Sequence, residues 1–498
     1  MGLALAVYLG WMGGSGILLN HPDLIAGITV PEWLVPYQYR IENWNRGSLR
    51  SLVEVEGETG VYLAGGRLGV WLSTDGGETF EDFNQGLGSL YERNTSHLLV
   101  LDDERPPVVL AATRGGLFRR KLDAPEWSRE SLGDRRPVVK LVRGEDRVLA
   151  FSDSGVFSSP LPPRELQFAP VGLERRSVAS RISLTDYFFG IHSGEAWGLA
   201  GRLLYDLIGL VLVFLSATAV VTWTYRKARN RFERARRALR PLVRWLVRYH
   251  LDLGIWSAVV LLVIGGTGIF MRPPLLALLA NGSAPRWLYP GVVSKNPWSH
   301  RIQNATYDAA RERMLIQTDD GIWDGPGDLG GAFEKITLPV PVFAMGATVF
   351  EADGTGSLDV GSFAGLFRVD ADGSTRDLIN SGPVAAGGQL RPGDHLVTGF
   401  LRLPDGERAI TTHYRGLLRV DGSPGESLLR MPNLVGESSG MPLWNFMFEL
   451  HNGRIFRDVI GDWYILITPL GGLFMVFLTS TGVWDWAAPK LGRRLRGG

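Results

Sequence analysis

Histidine is the main soft metal ligand that this chain offers, since none of its 498 residues is a cysteine. Without thiolates there are no disulfides, no thiol catalysis and no cysteine-bound iron–sulfur clusters. Eight histidines are present, and two of them, His192 and His451, lie beside apolar runs long enough to cross a bilayer. A histidine in that place is costly unless it has a partner or a ligand.

These two histidines occupy matching places in two related stretches. Each begins a His-x-Gly motif, and farther along LSATAVVTW (215–223) matches LTSTGVWDW (478–486). Two neutral imidazoles on facing helices are what a bis-histidine haem b requires, and small residues beneath them let a flat macrocycle approach the backbone. The sequence therefore predicts that His192 and His451 bind haem iron. The alternative is that each is an interfacial histidine that hydrogen-bonds water.

A third histidine, His250, begins another apolar run and is a candidate ligand for a second haem at the opposite membrane face. The alternative is that it simply closes the basic loop. Its counterpart should lie in the first apolar run, which aligns with the third through Gly16 and Gly268. That position falls before Met1, so we expect either an upstream start or a missing inner partner. The remaining histidines lack metal-ligand spacing, and we expect them in loops or in the β domain: His21, His97, His300, His395 and His413.

Four apolar blocks predict four transmembrane helices. Their expected bounds are 1–21, 191–225, 250–273 and 446–486. The stretch from Arg226 to Arg248 contains ten Lys and Arg residues and one acidic residue, and the C-terminal tail is also basic. By the positive-inside rule, the loop 226–249, the tail 487–498 and both termini belong in the cytoplasm.

The two long segments that remain, 22–190 and 274–445, are then expected outside the membrane in the periplasm. Both carry a β-type run followed by Gly, an aliphatic residue and usually an aromatic, as in RLGVWLS at Gly69 and TDDGIWDG at Gly321. The motif recurs roughly every 40–50 residues, the period of propeller blades. STDGGETF (73–80) matches an Asp-box, a turn that usually marks the fold rather than a catalytic site.

The predicted fold is a mixed membrane protein. It combines a four-helix transmembrane bundle, built as a duplicated two-helix repeat, with an extracytoplasmic all-β domain. The β domain is expected to be a β-propeller of about six blades assembled from both segments. Two separate half-domains are the alternative.

The transmembrane stretches resemble the PepSY-associated transmembrane family, also called iron-regulated membrane proteins. The resemblance is carried by SGILLNH (15–21), residues 191–215, residues 250–274 and LHNGRIF (450–456). Together these stretches mark the four helices, which make up roughly a quarter of the chain.

The resemblance implies a multi-pass protein of the bacterial inner membrane in which His192, His250 and His451 bind one or two haem b groups. It also implies a membrane ferric-siderophore reductase that passes electrons from a cytoplasmic or quinol donor to a periplasmic iron complex. Besides this complex and membrane lipid no partner is indicated, and the net charge of +1 gives no basis for nucleic-acid binding. A non-enzymatic, membrane-anchored binding or sensor propeller is the alternative, and a transporter ranks last.

Overall fold

The computed structural model describes most of the chain in two compact units. The described residues are 2–102, 105–133, 135–161, 166–176, 181–227, 233–272, 274–280, 282–291, 296–342, 346–380, 382, 384, 393–424 and 429–496. One unit comprises Met1–Ile25, Ala179–Val293 and Leu443–Gly498, and the other comprises Ala26–Val178 and Ser294–Pro442. We call them the membrane unit and the β unit. The basic loop lies partly outside the described residues, at 228–232.

The membrane unit is helical. Its helices are α1 (Gly2–Asn20), α2 (Pro22–Ile25), α3 (Leu184–Ser193), α4 (Gly198–Lys227), α5 (Glu233–Gly268), α6 (Leu275–Ala280), α7 (Leu443–His451), α8 (Arg457–Ile460) and α9 (Ile467–Arg496). Among the described residues, four helical stretches are long and apolar enough to cross a membrane, within Gly2–Asn20, Glu195–Lys227, Leu239–Gly268 and Arg454–Pro489. The protein is therefore a multi-pass membrane protein.

The histidines lie differently along these helices than the apolar runs indicate. His192 is in the last turn of the short helix α3, and this helix ends at Gly194 before α4 begins. Gly194 has φ 78° and Gly198 has φ 62° with ψ −145°, backbone conformations that residues with a Cβ rarely adopt. His250, in contrast, lies inside α5, because this helix continues upstream through a stretch rich in Arg, Ala and Leu, which are good helix formers.

Glycines let the long helices pack closely in two pairs. A Cβ at Gly13 in α1 would lie 2.8 Å from the carbonyl oxygen of Gly209 in α4. A Cβ at Gly472 in α9 would likewise lie 2.7 Å from the carbonyl oxygen of Gly265 in α5. Small residues at such crossings maximise backbone contact where no hydrophobic force acts between helices. We call the end of the bundle where α1 and α5 terminate the connecting end, and the opposite end the basic end.

The β unit consists of small sheets, almost entirely antiparallel. The first segment supplies β1 (Thr29–Val30), β2 (Ser51–Glu54), β3 (Tyr62–Gly66), β4 (Gly69–Ser73), β5 (Glu81–Asp82), β6 (Thr95–Leu101), β7 (Val108–Thr113), β8 (Gly116–Lys121), β9 (Ser128–Arg129), β10 (Val138–Arg143), β11 (Arg147–Ser152), β12 (Val156–Pro160), β13 (Ala169–Val171) and β14 (Glu174–Arg175). These form the sheets β2–β5, β6–β9 and β10–β13 in sequence order.

After β15 (Arg181–Ser183) and β16 (Ser283–Pro285), which pair within the membrane unit, the second segment continues the pattern. Its strands are β17 (Ile302–Asp308), β18 (Arg313–Thr318), β19 (Gly321–Pro326), β20 (Ala332–Ile336), β21 (Val349–Ala352), β22 (Leu358–Ser362), β23 (Gly365–Val369), β24 (Thr375–Asp377), β25 (Val397–Arg402), β26 (Arg408–Thr412), β27 (Gly416–Arg419) and β28 (Met441–Pro442). They form β17–β20, β21–β24 and β25–β27, while β14 adds parallel to β20 and β1 pairs with β28.

The core of the β unit lies between successive sheets. Buried clusters join each sheet to the one that follows it in the chain. A further cluster joins the last sheet to the first, because Leu417 of β27 packs with Trp71 of β4. The aromatic residue of the recurring motif packs into these clusters. Its four examples are all buried: Trp71, Phe118, Trp323 and Phe367.

The Asp-box is a closed turn, as its motif predicts. The Ser73 hydroxyl donates to Asp75 at 2.8 Å, and the same carboxylate accepts from the Thr79 amide at 2.9 Å. Hydrogen bonds from Thr79 and Ser73 lower the pKa of Asp75 to about 2. The carboxylate is thus held within its own turn, which fits a structural role.

Candidate functional site

His192 is positioned by a capped helix and fixed by the third long helix. Ser183 begins α3 by accepting a hydrogen bond from the Asp186 amide. The Nδ1 atom of His192 then lies 3.2 Å from the Ile264 carbonyl oxygen and 3.0 Å from the Thr267 hydroxyl oxygen. The imidazole is therefore held against the last turns of α5.

His451 is positioned in a similar way, at the end of a short helix and against the first long helix. It is the last residue of α7, and Gly453 follows with φ 78°. Its Nδ1 atom lies 2.7 Å from the Ser15 hydroxyl oxygen in α1. In both histidines, the imidazole Nδ1 atom thus contacts a side-chain hydroxyl of a long helix.

The hydroxyl partners determine which ring nitrogen carries the proton. Ser15 donates its single proton to the Trp11 carbonyl at 2.8 Å, and Thr267 donates its own to the Val263 carbonyl at 2.7 Å. With the hydroxyl protons assigned to these carbonyls, each hydroxyl accepts from the imidazole, which assigns Nδ1 as the protonated nitrogen of both rings. Their Nε2 atoms keep free lone pairs, and neither has a hydrogen-bond partner among the described residues.

Glycines leave space next to both imidazoles. A Cβ at Gly268 would lie 3.2 Å from Cε1 of His192, and a Cβ at Gly16 would lie 3.9 Å from Cε1 of His451. Ser15 and Thr267, which contact the two imidazoles, lie near the ends of α1 (Gly2–Asn20) and α5 (Glu233–Gly268), so both rings lie at the same end of the bundle. His192 and His451, predicted together from the sequence, are therefore brought together at the connecting end.

This donor set suits an axially ligated macrocycle better than a bare ion. Among the residues that the structure describes, no group of three His, Asp or Glu side chains could hold a metal ion. Two neutral imidazoles, each with a free Nε2 and an outer hydrogen bond on Nδ1, are the ligands that a haem iron takes. The residues present therefore fit haem.

His250 lies apart from this pair, toward the basic end. Its Nδ1 is 2.6 Å from the hydroxyl oxygen of Thr218, which itself donates to the Leu215 carbonyl at 2.9 Å. The same argument therefore leaves Nε2 of His250 with a free lone pair. His250 lines a cavity of about 350 Å³ whose walls come from α1, α4, α5 and α9, and it is the only histidine among the lining residues.

One polar pair at the connecting end is absent from the sequence predictions. His21, expected to be a simple loop residue, places Nε2 2.6 Å from Oδ2 of Asp206 in α4. Asn20 donates to the same carboxylate at 3.4 Å. An acid inside the apolar run was the available signal, because intramembrane carboxylates need partners.

Two arginines near the histidine pair were not predicted from the sequence either. Arg272 follows the end of α5, and its Cζ lies 5.4 Å from the ring centroid of Tyr464. Arg454 directly follows Gly453 and donates from Nη2 to Glu449 Oε1 at 2.5 Å. Their position close to glycines that recur in both repeats, Gly268 and Gly453, is the signal that could have identified them.

The other histidines belong to the β unit, as expected. His97 is on β6, and burial together with the charge of Lys140 holds its pKa well below the ordinary value. His300 lies 2.9 Å from the Asp153 carboxylate, and His413 stacks near Phe363 and Tyr414. Among the described residues, none of them belongs to a group of three His, Asp or Glu side chains that could hold a metal ion.

Comparison with known proteins gives one family match. The model of the family described as PepSY-associated TM region matches residues 59–226 and 220–488. No curated protein matches the chain at a significant level.

Solved structures give weaker likenesses. The extracellular domain of BT4673 from B. thetaiotaomicron is 10% identical with a TM-score of 0.33, and the match covers 76% of this chain and 39% of that one. YCF48 from Cyanidioschyzon merolae is 10% identical with a TM-score of 0.32, with coverage of 76% and 96%. An ancestral GH74 enzyme is 8% identical with a TM-score of 0.34, with coverage of 76% and 45%. Scores this low do not establish a shared fold.

Proposed function

We propose a function from one premise: the chain belongs to the family of PepSY-associated TM regions. In this proposal it is a haem-binding electron-transfer protein of the bacterial inner membrane that reduces a ferric siderophore complex in the periplasm. The observation that carries it is the pairing of His192 and His451 at one end of the bundle, each with a free Nε2. Bound haem b would supply one-electron oxidation and reduction at its iron.

The protein's own part is to orient the two ligands and exclude water. Ser15 and Thr267 hold the Nδ1 protons, which fixes both tautomers and raises the basicity of Nε2. Gly16 and Gly268 keep the space beside the rings open.

Backbone geometry supports a duplicated two-helix repeat. Gly194 and Gly453 share φ 78° and ψ −2°, while Gly198 and Gly461 have φ 62° and 57° with ψ −145° and −147°. The family model also matches the chain twice. Each histidine binds a hydroxyl from the other repeat, since His192 contacts α5 and His451 contacts α1, so the site needs both halves.

We assign His250 to a second, inner haem site at the basic end. Its free Nε2 and the cavity that it lines support this assignment. Two haem groups on opposite faces of a core ~30 Å thick would let electrons from a cytoplasmic or quinol donor cross the membrane. The basic residues between Arg226 and Arg248 favour the cytoplasm for that end.

For the β unit we propose a six-bladed propeller in the periplasm that presents the iron complex. The cluster that joins the last sheet to the first, through Leu417 and Trp71, supports ring closure. Reduction is a sensible way to release the metal, because hard oxygen donors bind Fe(III) much more strongly than Fe(II).

The experiment that tests the function measures both haem and electron flow. Full-length protein is purified in detergent for a reduced-minus-oxidised visible spectrum, then placed in liposomes with an internal reductant and an external ferric siderophore. We expect haem b bands and reduction of the outer iron. The H192A/H451A double variant should lose the share of the bands that belongs to the outer haem, together with the iron reduction, whereas H300A should retain both. A spectrum without haem bands would refute the proposal in favour of a non-enzymatic anchored β domain.

A further inference from the structure

Arg272 is a half-buried cation beside the histidine pair. It comes four residues after Gly268, which lies against His192. Its Nε is buried without a hydrogen-bond partner among the described residues, and its Cζ lies 5.4 Å from the Tyr464 ring centroid. A guanidinium donor buried without an acceptor is costly, so an acceptor is expected to complete this site.

Arg454 adds a second positive charge at the same place. It directly follows Gly453 and donates to Glu449 at 2.5 Å, and its Cζ lies 5.5 Å from the Phe448 ring centroid. Arg272 interacts electrostatically with both Arg454 and Glu449. Two guanidinium groups therefore lie beside one carboxylate, that of Glu449, and positive charge at this place favours an anionic ligand.

The arginine pair has no cationic counterpart at the aligned positions of the first repeat. In the alignment of the two repeats, Asn20 takes the place of Arg272 and Glu195 takes the place of Arg454. The matching positions thus hold an amide and an acid, so these two cations belong to the second repeat.

We propose that Arg272 and Arg454 together bind a carboxylate at the edge of the histidine site. This inference rests on the proposed function, because it concerns a ligand of that site. Guanidinium groups bind carboxylates through paired, charge-assisted hydrogen bonds, and Arg272 Nε offers an unused donor for such a pair. The carboxylate belongs either to the haem itself, as a propionate, or to an iron chelate that docks there.

Binding measurements with esterified haem distinguish the two sources. Full-length protein is prepared haem-free from haem-starved cells as wild type, R272Q, R454Q and the control R457Q, whose side chain is exposed. Each is titrated with hemin, with hemin dimethyl ester, and with ferric citrate, and folding is checked by circular dichroism.

If the ligand is a propionate, R272Q and R454Q weaken hemin binding about 10-fold or more and leave the dimethyl ester unaffected. If it is a chelate carboxylate, only ferric citrate binding weakens. Unchanged binding of both carboxylate ligands in R272Q and R454Q would overturn the proposal. Should the wild type bind no hemin, the proposed haem function fails, and the citrate titration alone decides on the arginine pair.

Discussion

The Ser15 hydroxyl oxygen lies 2.7 Å from Nδ1 of His451, and these residues lie on α1 and α7, at opposite ends of the sequence. With the Ser15 proton assigned to the Trp11 carbonyl, this contact assigns the Nδ1–H tautomer to the imidazole. Thr267 does the same for His192. Each repeat therefore supplies a hydroxyl that orients the histidine of the other repeat.

Removing the Ser15 hydroxyl should weaken the site without removing the ligand. In S15A, Nδ1 of His451 loses its acceptor, and we expect haem affinity to fall about 10- to 100-fold. S15T is the matched control, because threonine performs this role at position 267. Hemin titration of haem-free protein measures the effect, and equal affinity in S15A and S15T would count against the tautomer argument.

Filling the space at Gly268 should displace His192. A Cβ there lies 3.2 Å from Cε1 of the imidazole, and the larger side chain of G268V would force the ring away. We expect a loss of haem from the connecting end, measured as haem per polypeptide. G266A serves as the control, since a Cβ at Gly266 meets nothing within 4 Å.

Substitution at a helix crossing should destabilise the bundle instead. In G472V the new Cβ would lie 2.7 Å from the Gly265 carbonyl oxygen, which requires α5 and α9 to separate. Overpacking of this kind costs about 1–3 kcal/mol. Thermal unfolding in detergent should show a lower midpoint than for wild type, whereas G482A, which has open space at its Cβ, should match wild type.

The β unit should lose stability in acid through Asp320. Burial raises the pKa of this carboxyl, but the Thr318 hydroxyl and the charges of Arg175 and Arg301 lower it more, so the net pKa lies below the ordinary value. A lowered folded pKa gives stability that is present above the unfolded pKa, near 4, and that is lost as pH falls through the folded value.

The variant D320N removes this dependence and leaves the guanidinium of Arg175, a side chain only 4% exposed, without its carboxylate. Breaking a buried pair in this way costs about 3–5 kcal/mol. Unfolding followed by tryptophan fluorescence between pH 7 and pH 3 should show a smaller acid loss for D320N than for wild type. D123N, at an exposed position, should keep the wild-type profile.

Local patterns in the sequence predicted the elements better than their ends. Apolar runs identified the four long helices, and the Gly–aliphatic–aromatic motif identified strands such as β4 and β19. The break at Gly194 was not visible, because a His-x-Gly motif is compatible with a continuous helix. His192 therefore lies on α3 rather than at the start of the spanning helix α4.

The partners of the site residues could not be predicted in the same way. Ser15 and Thr267 contact histidines that are far away in sequence, and only tertiary packing determines which hydroxyl meets which ring. The same holds for Asp206 with His21 and for Arg272 with Tyr464. Charged residues at the ends of apolar runs can be found in a sequence, but their pairing depends on how the helices pack.

The most direct test of the central claim is the spin state of the iron at the connecting end. Oxidised wild-type protein should give the low-spin EPR signal of a haem with two imidazole ligands. H192A and H451A, each measured alone, should convert that signal to high spin or lose the haem, whereas H300A should match wild type. A low-spin signal unchanged in both single variants would contradict the assignment of His192 and His451 as the axial pair.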